Sequence, residues 1–78
     1  MSKLYNIPVD VRMAGGTLAA FLWHGKWVKV VSCTPIYQRR YTNDPFYGME
    51  TYRVKVQNGG VYELVKDGAN WVVEKVWD

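Results

Sequence analysis

The sequence predicts a small all-β domain, either an SH3-like barrel or a strongly bent antiparallel sheet of about six short strands. Turn sequences containing glycine or asparagine recur at short intervals, and the runs between them are dominated by Val, Tyr and Trp. None of these runs keeps an apolar period of about 3.6 residues for long enough to predict a helix. A chain of 78 residues has apolar material for one core, so residues 1–78 are expected to form a single domain.

The expected strands are the Val-, Tyr- and Trp-rich runs between the turns, at 5–12, 17–23, 27–34, 51–57, 61–66 and 71–77. Neighbours in sequence are joined by tight turns, and the first strand covers one side of the barrel. The exception is a long connecting loop over residues 37–50, where "NDP" and "YG" supply turn chemistry.

The first hairpin, "FLWHGKWVKVV", allows two registers. A two-residue HG loop pairs Phe21 with Val28, whereas a three-residue loop that includes the following lysine pairs Trp23 with Trp27. We favour the two-residue loop.

The second hairpin turns at "NGG", residues 58–60. A three-residue loop there, with one glycine at positive φ, gives three cross-strand pairs: Val56 with Tyr62, Lys55 with Glu63, and Val54 with Leu64. Apolar residues then face the core together, and Arg53, Lys55 and Glu63 lie on the opposite face as solvated charges.

The last hairpin, with a four-residue loop at 67–70, pairs Leu64 with Val73 and Val65 with Val72. Both faces of this hairpin are therefore partly apolar. Closure into a barrel is one way to cover them. The alternative is a homodimer that hides the face bearing Val61, Val65, Val72 and Val76.

Catalytic groups are scarce. His24 is the single histidine and Cys33 the single cysteine, and a hairpin tip and a returning strand place them too far apart for a Cys-His dyad. We expect Cys33 to be a small buried hydrophobe and His24 a solvated turn residue. One His and one Cys do not make a structural zinc site, and no phosphate-binding loop is present. No enzyme activity, cofactor or metal is therefore expected.

The location expected by default is the cytoplasm. A single cysteine allows no internal disulfide, and the amino end has no apolar stretch of signal-peptide length. The longest mostly apolar run, "TLAAFLW", is far short of the ~20 residues of a membrane helix, so no membrane partner is expected.

The stretch "CTPIYQRRYTNDPFYGMETY" combines adjacent arginines with several rings. Rings that stack bases and arginines that hold phosphates are the ingredients of a single-stranded nucleic-acid surface. The candidate binding residues are Tyr37, Arg39, Arg40, Tyr41, Phe46, Tyr47 and Arg53. Two other interpretations stay open: rings that fold inward while the arginines remain solvated, and a protein-binding surface.

The segments "FLWHGKWVKVV", "TYRVKVQNGGVYELVKD" and "WVVEKVWD" are similar to a small bacterial domain family of unknown function. Genes of that family often lie beside those of error-prone, Y-family DNA polymerases. The resemblance implies an association with DNA repair and damage tolerance, and it brings no catalytic residues. It also raises the possibility that Arg53 reaches a buried carboxylate such as Asp78.

Together these observations predict a non-catalytic binding or adaptor domain that interacts with a larger protein. The alternatives are a direct single-stranded nucleic-acid binder through residues 37–53 and a homodimeric structural module.

Overall fold

A computed structural model of the chain describes the backbone of residues 2–38 and 49–77 and the side chains of residues 5–36 and 49–77. The described part holds seven antiparallel strands in one strongly curled half-barrel sheet, and it includes no helix. The strands are β1 (Ser2–Val9), β2 (Val11–Ala14), β3 (Thr17–Trp23), β4 (Lys26–Gln38), β5 (Met49–Val56), β6 (Val61–Asp67) and β7 (Asn70–Trp77). The predicted all-β class and strongly bent sheet are confirmed.

The sheet curls because its two outermost strands are consecutive in the chain. The strand order is β1-β7-β6-β5-β4-β3-β2, so β1 and β2 lie at opposite edges, yet only Asp10 separates them in sequence. The Leu22 amide donates a hydrogen bond to the Asp10 carbonyl at 2.9 Å, which ties this junction to β3. The single first strand expected at 5–12 is therefore two strands that serve both edges.

The β3–β4 hairpin has the favoured two-residue loop. Phe21 pairs with Val28, and both loop residues have positive φ, 50° at His24 and 79° at Gly25. Positive φ at both central residues matches the right-handed twist of the strands. The His24 ring is exposed and stacks on Trp23, with centroids 4.2 Å apart.

The β5–β6 hairpin differs from the predicted register by two residues. The observed pairs are Lys55 with Val61, Val54 with Tyr62, and Arg53 with Glu63. The Gly59 amide donates to the Val56 carbonyl at 3.0 Å, and the Val56 amide donates to the Gly60 carbonyl at 3.0 Å. The three-residue loop is thus 57–59, one residue earlier than expected, with the glycine at positive φ being Gly59.

The β6–β7 hairpin has the predicted pairs, Leu64 with Val73 and Val65 with Val72. A register shift beyond these pairs, between Glu63 and Leu64, inserts an extra residue into β7. As a result Val76 packs against the core and does not join the outer apolar face that was expected to include it. That face keeps Val61, Val65 and Val72, all half-buried.

The core lies inside the curl and draws its buried members from four strands. Its buried members are Leu18, Phe21, Val54, Val56, Tyr62, Leu64, Trp71 and Val73. Edge-to-face rings join its parts, since Phe21 meets Tyr62 at 5.0 Å between centroids. Residues from β3, β5, β6 and β7 fill the inner face of the sheet. Candidate binding sites are therefore left on the outer surface of the sheet and along one side of β4.

Candidate functional site

Of the seven binding residues predicted from sequence, Arg39, Arg40, Tyr41, Phe46 and Tyr47 lie outside the described residues, and so does Asp78. The backbone of Tyr37 pairs with Thr51 near the end of β4, and its side chain is likewise not described. Arg53 is the one member whose side chain can be placed. The structure therefore tests neither the proposed surface nor its alternatives.

Arg53 lies on the outer face of β5 with its side chain about half exposed. Its guanidinium is 3.9 Å from the carboxylate of Glu63, its cross-strand partner. Glu63 is 7% exposed and is the buried charged residue of the described chain, contrary to the expectation of a solvated surface charge. The indole of Trp77 covers this carboxylate and donates its Nε1–H to it at 2.5 Å.

Strand β4 changes partner along its length. Residues 26–29 pair with β3, whereas Val30 and the residues after it pair with β5 on the other side. No strand of the described chain pairs with the second side of β4 beyond Lys29, and we call this side of residues 30–38 the β4 edge. Unpaired backbone N–H and C=O groups of such an edge are available to another strand.

A cleft opens where β3 and β4 diverge. It has a volume of about 510 Å³, and its walls come from 16–19 on one side and 30–33 on the other. Across its floor lie Tyr52, Lys66 and Trp71. We call it the β3–β4 cleft. Its size is in the range of pockets that hold small ligands or peptide side chains.

The floor of the β3–β4 cleft is lined by two aromatic rings and by one charged side chain, that of Lys66. Tyr52 and Trp71 pack at 5.4 Å between centroids, and the Lys66 ammonium lies 5.9 Å from the Trp71 ring. The Tyr52 hydroxyl donates a hydrogen bond to the Glu50 carboxylate, and this bond, with burial as a lesser cause, raises the pKa of Tyr52 to about 12. Tyr52 therefore stays uncharged across the physiological range, and the Glu50 carboxylate lies beside the floor as the cross-strand partner of Lys66.

Cys33 faces this cleft from β4 and packs against the core while remaining half-buried. Burial raises the pKa of its thiol above the ordinary value. A raised pKa lowers the thiolate fraction and hence the nucleophilicity of the thiol. His24 lies at the far hairpin tip, as predicted, so the described geometry brings no base to Cys33.

Two further pockets lie near the carboxyl end of β5, and the sequence analysis did not anticipate them. The Trp27 pocket, of about 310 Å³, is lined by Lys26, Trp27, Val28, Lys29, Gln57 and Asn58. The Trp77 pocket, of about 350 Å³, is lined by Arg53, Lys55, Val61 and Trp77. Charged residues beside strand tryptophans are common in protein sequences, so this pattern could not predict the two pockets.

The β4 edge had a clearer sequence signal. Residues 30–38 contain no charged side chain, and they include Pro35, which has no N–H to give to a neighbouring strand. Proline inside a strand is typical of an edge. The sequence analysis assigned these residues to a strand followed by a loop and did not draw that inference.

Within residues 2–38 and 49–77, no group of three or more His, Cys, Asp or Glu side chains is placed to hold a metal ion. The same residues include no helix with the length and apolarity needed to cross a membrane. Comparisons of the chain with protein-family models, with curated proteins and with solved structures give no match. The resemblance noted from the sequence therefore stays a prediction.

Proposed function

We propose that this domain is a non-catalytic adaptor that binds an extended segment of a larger protein along the β4 edge. The observation that carries the proposal is a strand edge that has no partner among residues 2–38 and 49–77 and that runs directly beside an open cleft. The edge supplies backbone hydrogen bonds, and the cleft takes side chains of the added segment. This division of roles is the usual one in recognition by strand addition.

The β4 edge carries Pro35 and bulges at Val31 and Ile36, which limit pairing locally, but it has no charged side chain to block an added strand. Proteins protect exposed edges with charged side chains, bulges or covering segments. Here residues 30–38 carry no charge, and the side chains of Val31 and Ile36 are 69% and 40% exposed. An incoming strand would cover both, which gains apolar burial in addition to backbone pairing.

The chemistry of the cleft indicates what the segment carries. Leu18, Val30 and the rings of Tyr52 and Trp71 offer apolar contacts to alternate side chains of a strand. Lys66 is the single charged residue in the lining. We therefore expect a segment with apolar residues at alternate positions and one acidic residue that reaches Lys66.

The expected pairing of Lys66 with an acidic residue favours a different protein over a second copy of this chain. Two copies that paired through their β4 edges would each present residues 30–38, which hold no carboxylate for Lys66. On the basis of the family resemblance, we propose that the larger partner is a component of DNA damage tolerance.

The test uses peptides selected from a phage-displayed random library against the whole chain and then synthesised. We expect micromolar binding that shifts the backbone amide NMR signals of residues 31–34 and of Ile36. Ile36→Lys should weaken binding at least about tenfold, since a charge on the edge opposes strand addition. The matched control is Ile7→Lys, because Ile7 is 39% exposed on β1 and lies at the opposite edge of the sheet.

Peptides whose binding is equally sensitive to both variants, or that shift amides elsewhere, would contradict the proposal. Sedimentation of the free protein gives a second arm. A dimer that Ile36→Lys dissociates would assign the β4 edge to self-association and would rule out a foreign strand there.

A further inference from the structure

The Trp27 and Trp77 pockets share one design, although they draw on different strands. Each contains one tryptophan that is about half exposed, 40% for Trp27 and 39% for Trp77. Each also contains two cations, Lys26 and Lys29 in the first and Arg53 and Lys55 in the second. No carboxylate lines either pocket. Two copies of one arrangement, a ring with a pair of cations, favour a ligand that is built of repeating units.

Neighbouring residues hold each tryptophan in place. The Arg12 guanidinium stacks on the Trp27 ring, 4.0 Å from its centroid. The Trp77 indole N–H is bonded to the buried Glu63 carboxylate, and the Lys75 ammonium lies 5.1 Å from the Trp77 ring. A ring that is fixed before binding loses less conformational freedom on contact with a ligand.

The end of β5 links the two pockets. Gln57 lines the Trp27 pocket, and its backbone N–H donates a hydrogen bond to the Lys29 carbonyl at 3.0 Å. Lys55 lines the Trp77 pocket. Arg53 and Lys55 are alternate residues of one strand, so their side chains leave the same face about 6.6 Å apart. The cations therefore form a short row along the outer face, with Lys29 beside Trp27 and with Lys55 and Arg53 beside Trp77.

We propose that this row is a binding surface for single-stranded nucleic acid. Two bases stack on Trp27 and Trp77, and the phosphates between them lie against Lys29, Arg53 and Lys55. Unpaired bases are required, because base faces in a duplex are covered by their neighbours. Ring stacking combined with a cationic track is the usual means of sequence-tolerant single-strand binding.

This surface is separate from the strand-addition site. The linings of the two tryptophan pockets and of the β3–β4 cleft have no residue in common. The inference therefore does not depend on the proposed adaptor function, and Arg53 is the one residue it shares with the surface predicted from the sequence over 37–53.

The experiment measures fluorescence anisotropy of a labelled, mixed-sequence single-stranded oligonucleotide titrated with the whole protein at several salt concentrations. Micromolar binding at low salt is expected. If Lys29, Arg53 and Lys55 contact phosphates, the logarithm of the affinity should fall with the logarithm of salt concentration with a slope of about −2. Tryptophan fluorescence should be quenched in the same titration, since the bases stack on the rings.

Three variants identify the surface. Lys29→Ala with Lys55→Ala should reduce the salt slope by about 1.4. Trp27→Leu should weaken binding about tenfold or more at all salt concentrations, because stacking does not depend on salt. The matched control is Lys66→Ala, which removes a cation at the other end of the sheet and should leave both quantities unchanged.

Several results would overturn the inference. One is the absence of binding at about 100 μM in low salt, well above the affinity expected from stacking and charge together. Another is equal binding of inorganic polyphosphate or of vesicles containing anionic lipid, since neither offers bases to the rings. A third is an equal loss in the Lys66→Ala control, which would indicate a general charge effect.

Discussion

Glu63 shows how one buried carboxylate can organise an exposed ring. It lies between Arg53 on β5 and Lys75 on β7, its cross-strand neighbours, and it accepts the indole N–H of Trp77. A buried carboxylate without partners would be costly, so the indole hydrogen bond and the Arg53 ion pair explain why it is tolerated. In return the hydrogen bond fixes the direction in which the Trp77 ring faces solvent.

Replacement of this carboxylate tests its structural role. Glu63→Ala should lower the free energy of unfolding by about 1–2 kcal/mol, because the Trp77 N–H loses a charged acceptor but can still reach water. Urea denaturation followed by circular dichroism measures the change. Trp77→Phe should cost less in the Glu63→Ala background than in the wild type, since the hydrogen bond is already absent.

Glu74→Ala is the matched control, because Glu74 is an exposed carboxylate on the neighbouring strand. Its effect should stay within about 0.5 kcal/mol. Equal losses in the two alanine variants would show that the Glu63 carboxylate contributes no specific bond.

At the scale of single elements, the β5–β6 turn offers a direct test of the hairpin register. Gly59 has a φ of 91°, and a Cβ added there would meet no atom within 4 Å. Gly59→Ala should therefore cost about 1–2 kcal/mol through backbone strain alone. Gly59→Asn should cost less, because asparagine tolerates positive φ better. Thermal unfolding of both variants gives the comparison.

The register predicted from sequence leads to a different result. With a loop at 58–60, Gly60 would hold the left-handed position and Gly59→Ala would be nearly neutral. A neutral outcome would therefore support the 58–60 loop over the observed 57–59 loop.

The error in that register has a physical cause. Alternation of side chains has a period of two, so a shift of two residues moves no residue to the other face. Val54, Val56, Tyr62 and Leu64 are buried in the observed register and would be in the predicted one. The apolar pattern therefore identified the correct faces, and only the detail of the turn could distinguish the two registers. The first hairpin also allowed two registers from the sequence, and the favoured two-residue loop is the one observed.

Bulges account for most of what the sequence could not predict. The extra residue in β7 moves Val76 toward the core, and no local pattern marks it. The partner change of β4, which creates the candidate binding edge, likewise depends on how the whole sheet curls. Pro35 was the one available signal for that edge. The exposure of Trp27 and Trp77 could not be read from the sequence, since tryptophan in so small a chain is first expected in the core.

Among the described residues, the charges are partly separated along the strands, with Lys66 as an exception at the acidic end. Cations of the tryptophan pockets lie near the β3–β4 and β5–β6 turns, whereas Glu50 and Asp67 lie near the opposite ends of β5 and β6. Such a distribution favours approach of an anionic polymer to one end of the domain. The junction at Asp10 joins the two edge strands, β1 and β2, so this distribution of charges belongs to one small sheet.

Separate surfaces predict that the two ligands bind at the same time. The cleft between β3 and β4 lies beside the later part of β4, while the cations of the Trp27 pocket lie at its start. Most of the negative charge brought by a bound peptide would be paired with Lys66, and charges farther away than about 10 Å are largely screened at ordinary salt. Oligonucleotide affinity should therefore change by no more than about twofold when a selected peptide saturates the protein, with anisotropy as the measurement.

Ile36→Lys, which weakens peptide binding, provides the control for direct effects of the peptide on the oligonucleotide. A tenfold or larger loss of affinity in the wild type but not in this variant would mean that the two surfaces overlap or are coupled through the curl of the sheet, because the coupling between two sites is reciprocal.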